Sequence, residues 1–296
     1  MIEMLVRPLS GRPPKTPLPK GAVDTQMHMY LPGFPALAGG PALPAGALPD
    51  ADQYRQFMRW LGIDRVIITQ GNAHQRNNGN LVTCLRAMGA EARGVAAFGA
   101  ETSENDLDFL SEAGVIGARI MDLPGGAVGL DELEAVDDRA AARNWMMAIQ
   151  FDGSDILEHE PRLKKLKSRW VFDHHGKFFS GATPEGPEIA AVKRLIDGGN
   201  CWFKFAGVYE SSKTGGPGYE DVAALSLAIA EHAPERIVWG SNWPHNLAKT
   251  NADYPDDAHL TDTVLGWLPD AAARHRVLVE NPERLFGLKP FTHGGA

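Results

Sequence analysis

Side chains able to move protons, hold anions or read hydroxyl groups recur along this chain, each close behind a short apolar run. Asp24-Thr-Gln26-Met-His28 is the first such group, and Gln70-Gly-Asn72-Ala-His74 is the second. Arg119 with Asp122, Gln150 with Asp152, Asp173-His174-His175, Lys204 with Tyr209, and Asn242 with His245 follow. Histidine exchanges protons near neutral pH, and arginine and lysine meet carboxylates or oxyanions. Amides hydrogen-bond without exchanging a proton. Seven of eight apolar runs end this way, and core packing does not explain it, because buried polar groups need partners.

Two cations interrupt apolar runs. Lys204 sits in Cys201-Trp-Phe-Lys-Phe-Ala206, with Phe203 and Phe205 on the opposite face. An unpaired internal ammonium is costly, so Lys204 is expected to meet a substrate carboxylate or lactone carbonyl, with an ion pair to a barrel aspartate as the alternative. Arg119 lies in Ala118-Arg-Ile-Met121, and its planar fork suits a carboxylate or a buried ion pair. His175 directly follows His174, so period-two alternation sends it to the other side of the strand. Trp239 and Trp243 read as packing.

The elements that must position these residues are the apolar runs themselves. They are Ala22–Met29, Arg65–Gln70, Gly94–Phe98, Ala118–Met121, Met146–Phe151, Trp170–His174, Trp202–Ala206 and Ile237–Ser241. Helical stripes fall between them, such as Tyr54, Phe57, Met58 and Leu61, or Ile189, Val192, Leu195 and Ile196. Ser103 followed by Asp106 resembles a capping box before a further helix. Eight alternating strand and helix units predict an α/β fold, a (β/α)8 TIM barrel with its polar residues at the C-terminal ends of the strands. A doubly wound sheet is the alternative, but no glycine-rich dinucleotide fingerprint follows the first strand. The Pro/Gly-rich stretch 32–49 is either a lid over the barrel mouth or a surface excursion.

At 296 residues, 44% apolar and 22% charged, the chain is long enough for one large barrel. The expected organisation is a Pro-rich arm over 1–20, a single domain over 21–290, and a tail over 291–296. A net charge of −8 argues against nucleic-acid or anionic-membrane partners. Cys84 and Cys201 are expected as buried free thiols. The first 20 residues scatter their apolar content among prolines, and no run approaches 18 apolar residues, so a cytoplasmic protein is expected.

The motifs Val23-Asp-Thr-Gln-Met-His28, Gly117-Ala-Arg-Ile-Met-Asp-Leu123, Phe172-Asp-His-His-Gly176, Trp202-Phe-Lys-Phe-Ala-Gly207 and Gly240-Ser-Asn-Trp-Pro-His245 together carry a resemblance. Over roughly Gly21 to Leu288, closing on Glu280-Asn-Pro-Glu-Arg-Leu-Phe286, the chain resembles the amidohydrolase superfamily. The branch is that of 2-pyrone-4,6-dicarboxylate hydrolase. Metal-dependent members use a His-x-His on strand one, ligands on strands four and five, a strand-six His and a strand-eight Asp. Here Gln26, Gln150 and Asn242 stand at three of those places, and only His28 and His174 persist. Two imidazoles among neutral amides make a poor cage for zinc, so no metal and no cofactor are expected.

Relatives that hydrolyse lactones carry the strand-eight Asp as a base for water, and Asn242 cannot serve so. An aldaro-1,5-lactone, however, carries its own nucleophile in the C4 hydroxyl, and intramolecular attack has large effective molarity. What the resemblance implies, together with the missing base, is lactone isomerisation of a sugar diacid, 1,5 to 1,4, in hexuronate breakdown. Hydrolysis of aldarolactones or pyrone dicarboxylates is the alternative. His28, His174 and Lys204 are the expected catalytic residues: a histidine relays the proton from O4 to O5, and Lys204 stabilises the oxyanion. Gln26, Asn72, Arg119, Gln150, Asp173, His175, Tyr209, Asn242 and His245 are the expected substrate contacts, with Arg119 on the free carboxylate. Galactaro and glucaro configurations are not separated by these residues.

Overall fold

The computed structural model describes residues 4–292. Eight strands run as Val23–Met27 (β1), Arg65–Thr69 (β2), Ala92–Ala96 (β3), Val115–Met121 (β4), Met146–Gln150 (β5), Trp170–Phe172 (β6), Cys201–Phe205 (β7) and Ile237–Trp239 (β8). Each pairs in parallel with the next in chain order. The ring closes through a bridge between Met27 and Trp243, with Asn242 N donating to Gln26 O at 2.8 Å. This is the (β/α)8 TIM barrel expected from the alternating pattern.

Alternation decides which side chains fill the barrel and which face the helices. Val23, Ile67, Val95, Met146, Ala148, Val171, Trp202 and Val238 form one buried cluster, packed with Leu285 and Phe286 of the C-terminal helix Asn281–Phe286. Their neighbours on the other face, including Phe203 and Phe205, join the larger core with the surrounding helices. The helix Ala51–Leu61 (α1) buries Tyr54, Phe57, Met58 and Leu61, and Asp50 caps it by accepting from Gln53 N. Pro187–Asp197 buries Ile189, Val192, Leu195 and Ile196. Ser103 caps Glu104–Glu112 by accepting from Asp106 N. Cys84 and Cys201 are buried and free.

Several strands end earlier than the apolar runs suggest. Strand β6 stops at Phe172, because His174, His175 and Lys177 all take left-handed backbone conformations. Hydrophobicity does not register that turn, since His174 and His175 are as buried as a strand's residues. The 32–49 stretch has no helix or strand and places Pro41 and Ala42 on the wall of the barrel-mouth cavity. Arg7 donates to Ala45 O and Ala47 O, tying residues of the Pro-rich arm to that stretch. Residues 1–3 of the arm and 293–296 of the tail lie outside the described residues. No helix of the described chain is long and apolar enough to cross a membrane.

Candidate active site

The C-terminal ends of the strands surround a cavity of about 310 Å³. His28, Asn72, Arg119, Gln150, His174 and Asn242 line it, one from the end of each of six different strands or the turn that follows. Six of the twelve residues singled out in the sequence thus meet around one space. The other six do not line it, and their positions are informative.

Beneath the floor, Lys204 is 1% exposed and donates to Gln26 Oε1 at 3.0 Å and to Asp173 Oδ2 at 3.2 Å. The direct substrate contact expected of Lys204 is therefore not what the structure shows: it does not line the cavity and meets the internal aspartate, the alternative. Asp173 Oδ1 accepts from the backbone N of His174 at 2.9 Å and from its Nδ1 at 3.0 Å. Burial would raise the Asp173 pKa, but Lys204, His174 and Arg119 hold it well below the ordinary carboxylate range. Lys204, Asp173 and Gln26 are thus a foundation that fixes His174.

Behind the wall, Asn242 Nδ2 donates to Tyr209 OH, and that hydroxyl lies 2.7 Å from His245 Nδ1. His245 Nε2 is in turn 2.8 Å from Asp257 Oδ1. Tyr209 and His245 therefore orient Asn242 rather than face the cavity. His175, named among the expected substrate contacts, does not line the cavity: in the left-handed turn after β6 it points outward from the barrel. It stacks on Phe205 with ring centroids 5.1 Å apart, and its Nδ1 is 2.8 Å from Ser226 Oγ.

Inside the cavity the chemistry is set by burial. His28 Nδ1 is 2.8 Å from Thr69 O, so that nitrogen carries the hydrogen and Nε2 is left as an acceptor. Burial, with the charge of Arg119 next, pushes the His28 pKa down to about 3. Arg119 donates to Gln70 O at 2.6 Å and reaches Gln150 Oε1 at 3.5 Å. Its Nε has no protein partner, and no carboxylate of the described residues lies within ion-pair distance of it. A buried guanidinium with spare donors is a ready anion anchor.

Residues that sequence reasoning missed complete the wall, above all Glu210 and Lys177. Their ion pair is 2.7 Å long and largely shielded from solvent, with Lys177 buried and Glu210 partly so, and Glu210 Oε1 accepts from Asn242 Nδ2 at 2.9 Å. Burial would raise the Glu210 pKa, but Lys177 and His174 outweigh it and bring it to about 2. A carboxylate thus enters the site from the turn after β7, although strand eight offers none. Its signal in the sequence was proximity to Lys204 and adjacency to Tyr209, but the stretch has no apolar run to mark a strand end. Tyr30, Asn246 and Lys249 also line the cavity.

The donor set does not fit a divalent cation. Gln26 Oε1 is taken by an ammonium, which would repel a metal, and Asn242 Oδ1 by His174 Nε2 at 3.2 Å. No group of three or more His, Cys, Asp or Glu among the described residues is arranged to hold one.

A family model described as amidohydrolase matches residues 22–288. The chain belongs to the amidohydrolase family. It is 65% identical over 286 residues to D-galactarolactone isomerase from Agrobacterium fabrum, covering 97% of this chain and 98% of that protein. It is 30% identical over 279 residues to 4-sulfomuconolactone hydrolase from Rhizobium radiobacter, covering 92% and 91%. An apo crystal structure from Agrobacterium tumefaciens matches with a TM-score of 0.94 at 65% identity, covering 96% and 100% of the two chains. A probable 2-pyrone-4,6-dicarboxylic acid hydrolase from Acinetobacter baumannii, with citric acid bound, matches at 0.77 and 17% identity, covering 90% and 99%. That last likeness is one of fold.

Proposed function

We propose that this chain is a lactone isomerase that converts D-galactaro-1,5-lactone to the 1,4-lactone by intramolecular acyl transfer, without a metal. The observation that carries this reading is the 65% identity, over nearly the full length of both chains, to a D-galactarolactone isomerase. The cavity supports it. The substrate has a lactone carbonyl at C1, a free carboxylate at C6 and a nucleophile in its own C4 hydroxyl. Attack of O4 forms the O4–C1 bond, the C1–O5 bond breaks, and a proton moves from O4 to O5, so no water is consumed.

Arg119 meets the carboxylate, the one fixed charge of the substrate, since no carboxylate among the described residues pairs with it. His28 Nε2 accepts from a substrate hydroxyl, and Asn72 and Gln150 read others. Of the two histidines expected in the relay, His174 is set up as the donor at O5. Lys204 acts through Asp173 by holding His174 in place, rather than on the oxyanion itself.

The test follows galactaro-1,5-lactone by NMR with purified protein, a chelator and ¹⁸O-labelled water. The expected product is unlabelled 1,4-lactone, formed equally fast with and without chelator. Labelled open-chain diacid would make the protein a hydrolase instead. Binding without turnover would make it no enzyme at all. Loss of activity on chelation, restored by zinc or manganese, would overturn metal independence.

A further inference from the structure

Resting on the isomerase reading, we infer that Glu210 accepts the proton of the attacking hydroxyl and His174 supplies the one taken by the leaving oxygen, an acid–base pair held on either side of Asn242. Glu210 is the only carboxylate among the described residues that line the cavity. Its two oxygens each accept one hydrogen bond, from Asn242 Nδ2 at 2.9 Å and Lys177 Nζ at 2.7 Å. An ionised carboxylate has about four acceptor positions, so lone pairs remain for a substrate hydroxyl.

His174 has the opposite bias. Its Nδ1 faces Asp173 Oδ1 at 3.0 Å and its Nε2 faces Asn242 Oδ1 at 3.2 Å. Both neighbours are oxygen acceptors, so the pattern is complete only with a hydrogen on each ring nitrogen. Turning the Asn242 amide over would not relieve this. Its oxygen would then oppose the Glu210 carboxylate at 2.9 Å, acceptor against acceptor. The amide therefore reads its two neighbours as a donor on one side and an acceptor on the other. His28 also has an acceptor nitrogen, Nε2, but Gln26 Nε2 already lies 3.5 Å from it, and a proton there would add a charge beside Arg119 and His174. A proton on Glu210 would instead neutralise one.

In the step itself, O4–H passes its proton to Glu210 as O4 bonds C1 and the carbonyl electron pair moves onto its oxygen. The tetrahedral intermediate collapses, the C1–O5 bond breaks, and O5 takes the proton from His174 Nε2. One turnover leaves Glu210 protonated and His174 one proton short. The proton returns from one to the other through solvent as product leaves, and no oxidant, reductant or water is used up.

The test is Glu210→Gln, which keeps the side-chain length and an acceptor for Asn242 but removes the base. If wild-type protein does not isomerise the 1,5-lactone, the isomerase reading fails before this one is reached. With wild type active, kcat of Glu210→Gln should fall by about 10²–10⁴-fold. KM and product affinity should stay within about threefold, and His28→Gln should lose less kcat than Glu210→Gln. A Glu210→Gln kcat within about tenfold of wild type overturns the proposal, as does a larger loss in His28→Gln. A lower melting temperature and weaker product binding at unchanged kcat would make Glu210 merely a structural partner of Lys177. Should Glu210→Gln fail to fold, Glu210→Asp withdraws the base by one methylene. Its kcat should fall roughly 10–100-fold at unchanged KM, and an unchanged kcat would overturn the proposal.

Discussion

Asn242 is where a single residue's chemistry matters most. Its amide is the one neutral group that can give to Glu210 and Tyr209 while accepting from His174. A carboxylate there could accept from His174 but would face Glu210 across 2.9 Å, where the amide now donates. Two carboxylates that close cannot both ionise freely, so they share a proton and titrate as a pair with one raised pKa. Asn242→Asp should therefore slow the reaction at neutral pH. It should also give kcat an ascending limb at a pH above the ordinary carboxylate range. Rate–pH profiles of variant and wild type check this, and superimposable shapes would refute it. Above that limb the restored base should let water compete, read as labelled open-chain diacid.

At the scale of elements, the turn from β7 into the short helix Val208–Ser211 decides whether the site assembles. Gly207 joins them in the left-handed region, at φ 59° and ψ 41°. A Cβ there would lie 2.9 Å from both Asn242 Nδ2 and His174 Cδ2, closer than real side chains sit. Glycine is required twice over, for the backbone and for the space. Gly207→Ala should cost about 1–2 kcal/mol of stability from the left-handed backbone, measured by denaturant unfolding. It should also cut kcat by about tenfold or more, since displacing catalytic groups by a fraction of an ångström misaligns them. Wild-type kcat in a folded Gly207→Ala protein would mean that the turn does not set the positions of His174 and Asn242.

Across the whole molecule, buried histidines link folding to pH. Burial, with the neighbouring His174 next, pushes the His175 pKa down to about 3 from its ordinary 6.5. Unfolded chains take that proton at about 6.5 and the folded protein does not, so the unfolded state binds more protons in between. The contribution of His175 is present in full above about pH 6.5 and is lost as pH falls towards 3. Asp24 and Asp257, whose pKa values burial raises, act in the opposite sense, so a difference between two proteins is the clean measurement. His175→Phe keeps a ring against Phe205 and removes the titration. Relative to wild type it should gain about 1.4 kcal/mol for each pH unit below 6.5. Stability–pH curves that run parallel would show that His175 does not titrate in this way.

What the sequence determined by itself was the barrel and the ring of positions around its mouth. Apolar runs of strand length, alternating with amphipathic helices, are local patterns, and the period of two sends Lys204 inward and Phe203 and Phe205 outward without reference to the rest of the chain. The amides at Gln26, Gln150 and Asn242 were legible too, because a residue's type is fixed wherever it ends up. Contact was not legible. Only the tertiary structure set Lys204 against Asp173 and Gln26 instead of the cavity, left Arg119 without an ion-pair carboxylate among the described residues, and brought Glu210 to Asn242 from 32 residues away. Those outcomes depend on left-handed turns at Gly207, His174 and Asn242 that carry no hydrophobic signature. They also depend on distances between strands, which exist only once the ring has closed. Identity and periodicity are properties of the chain, whereas partners and charge states belong to the space it encloses.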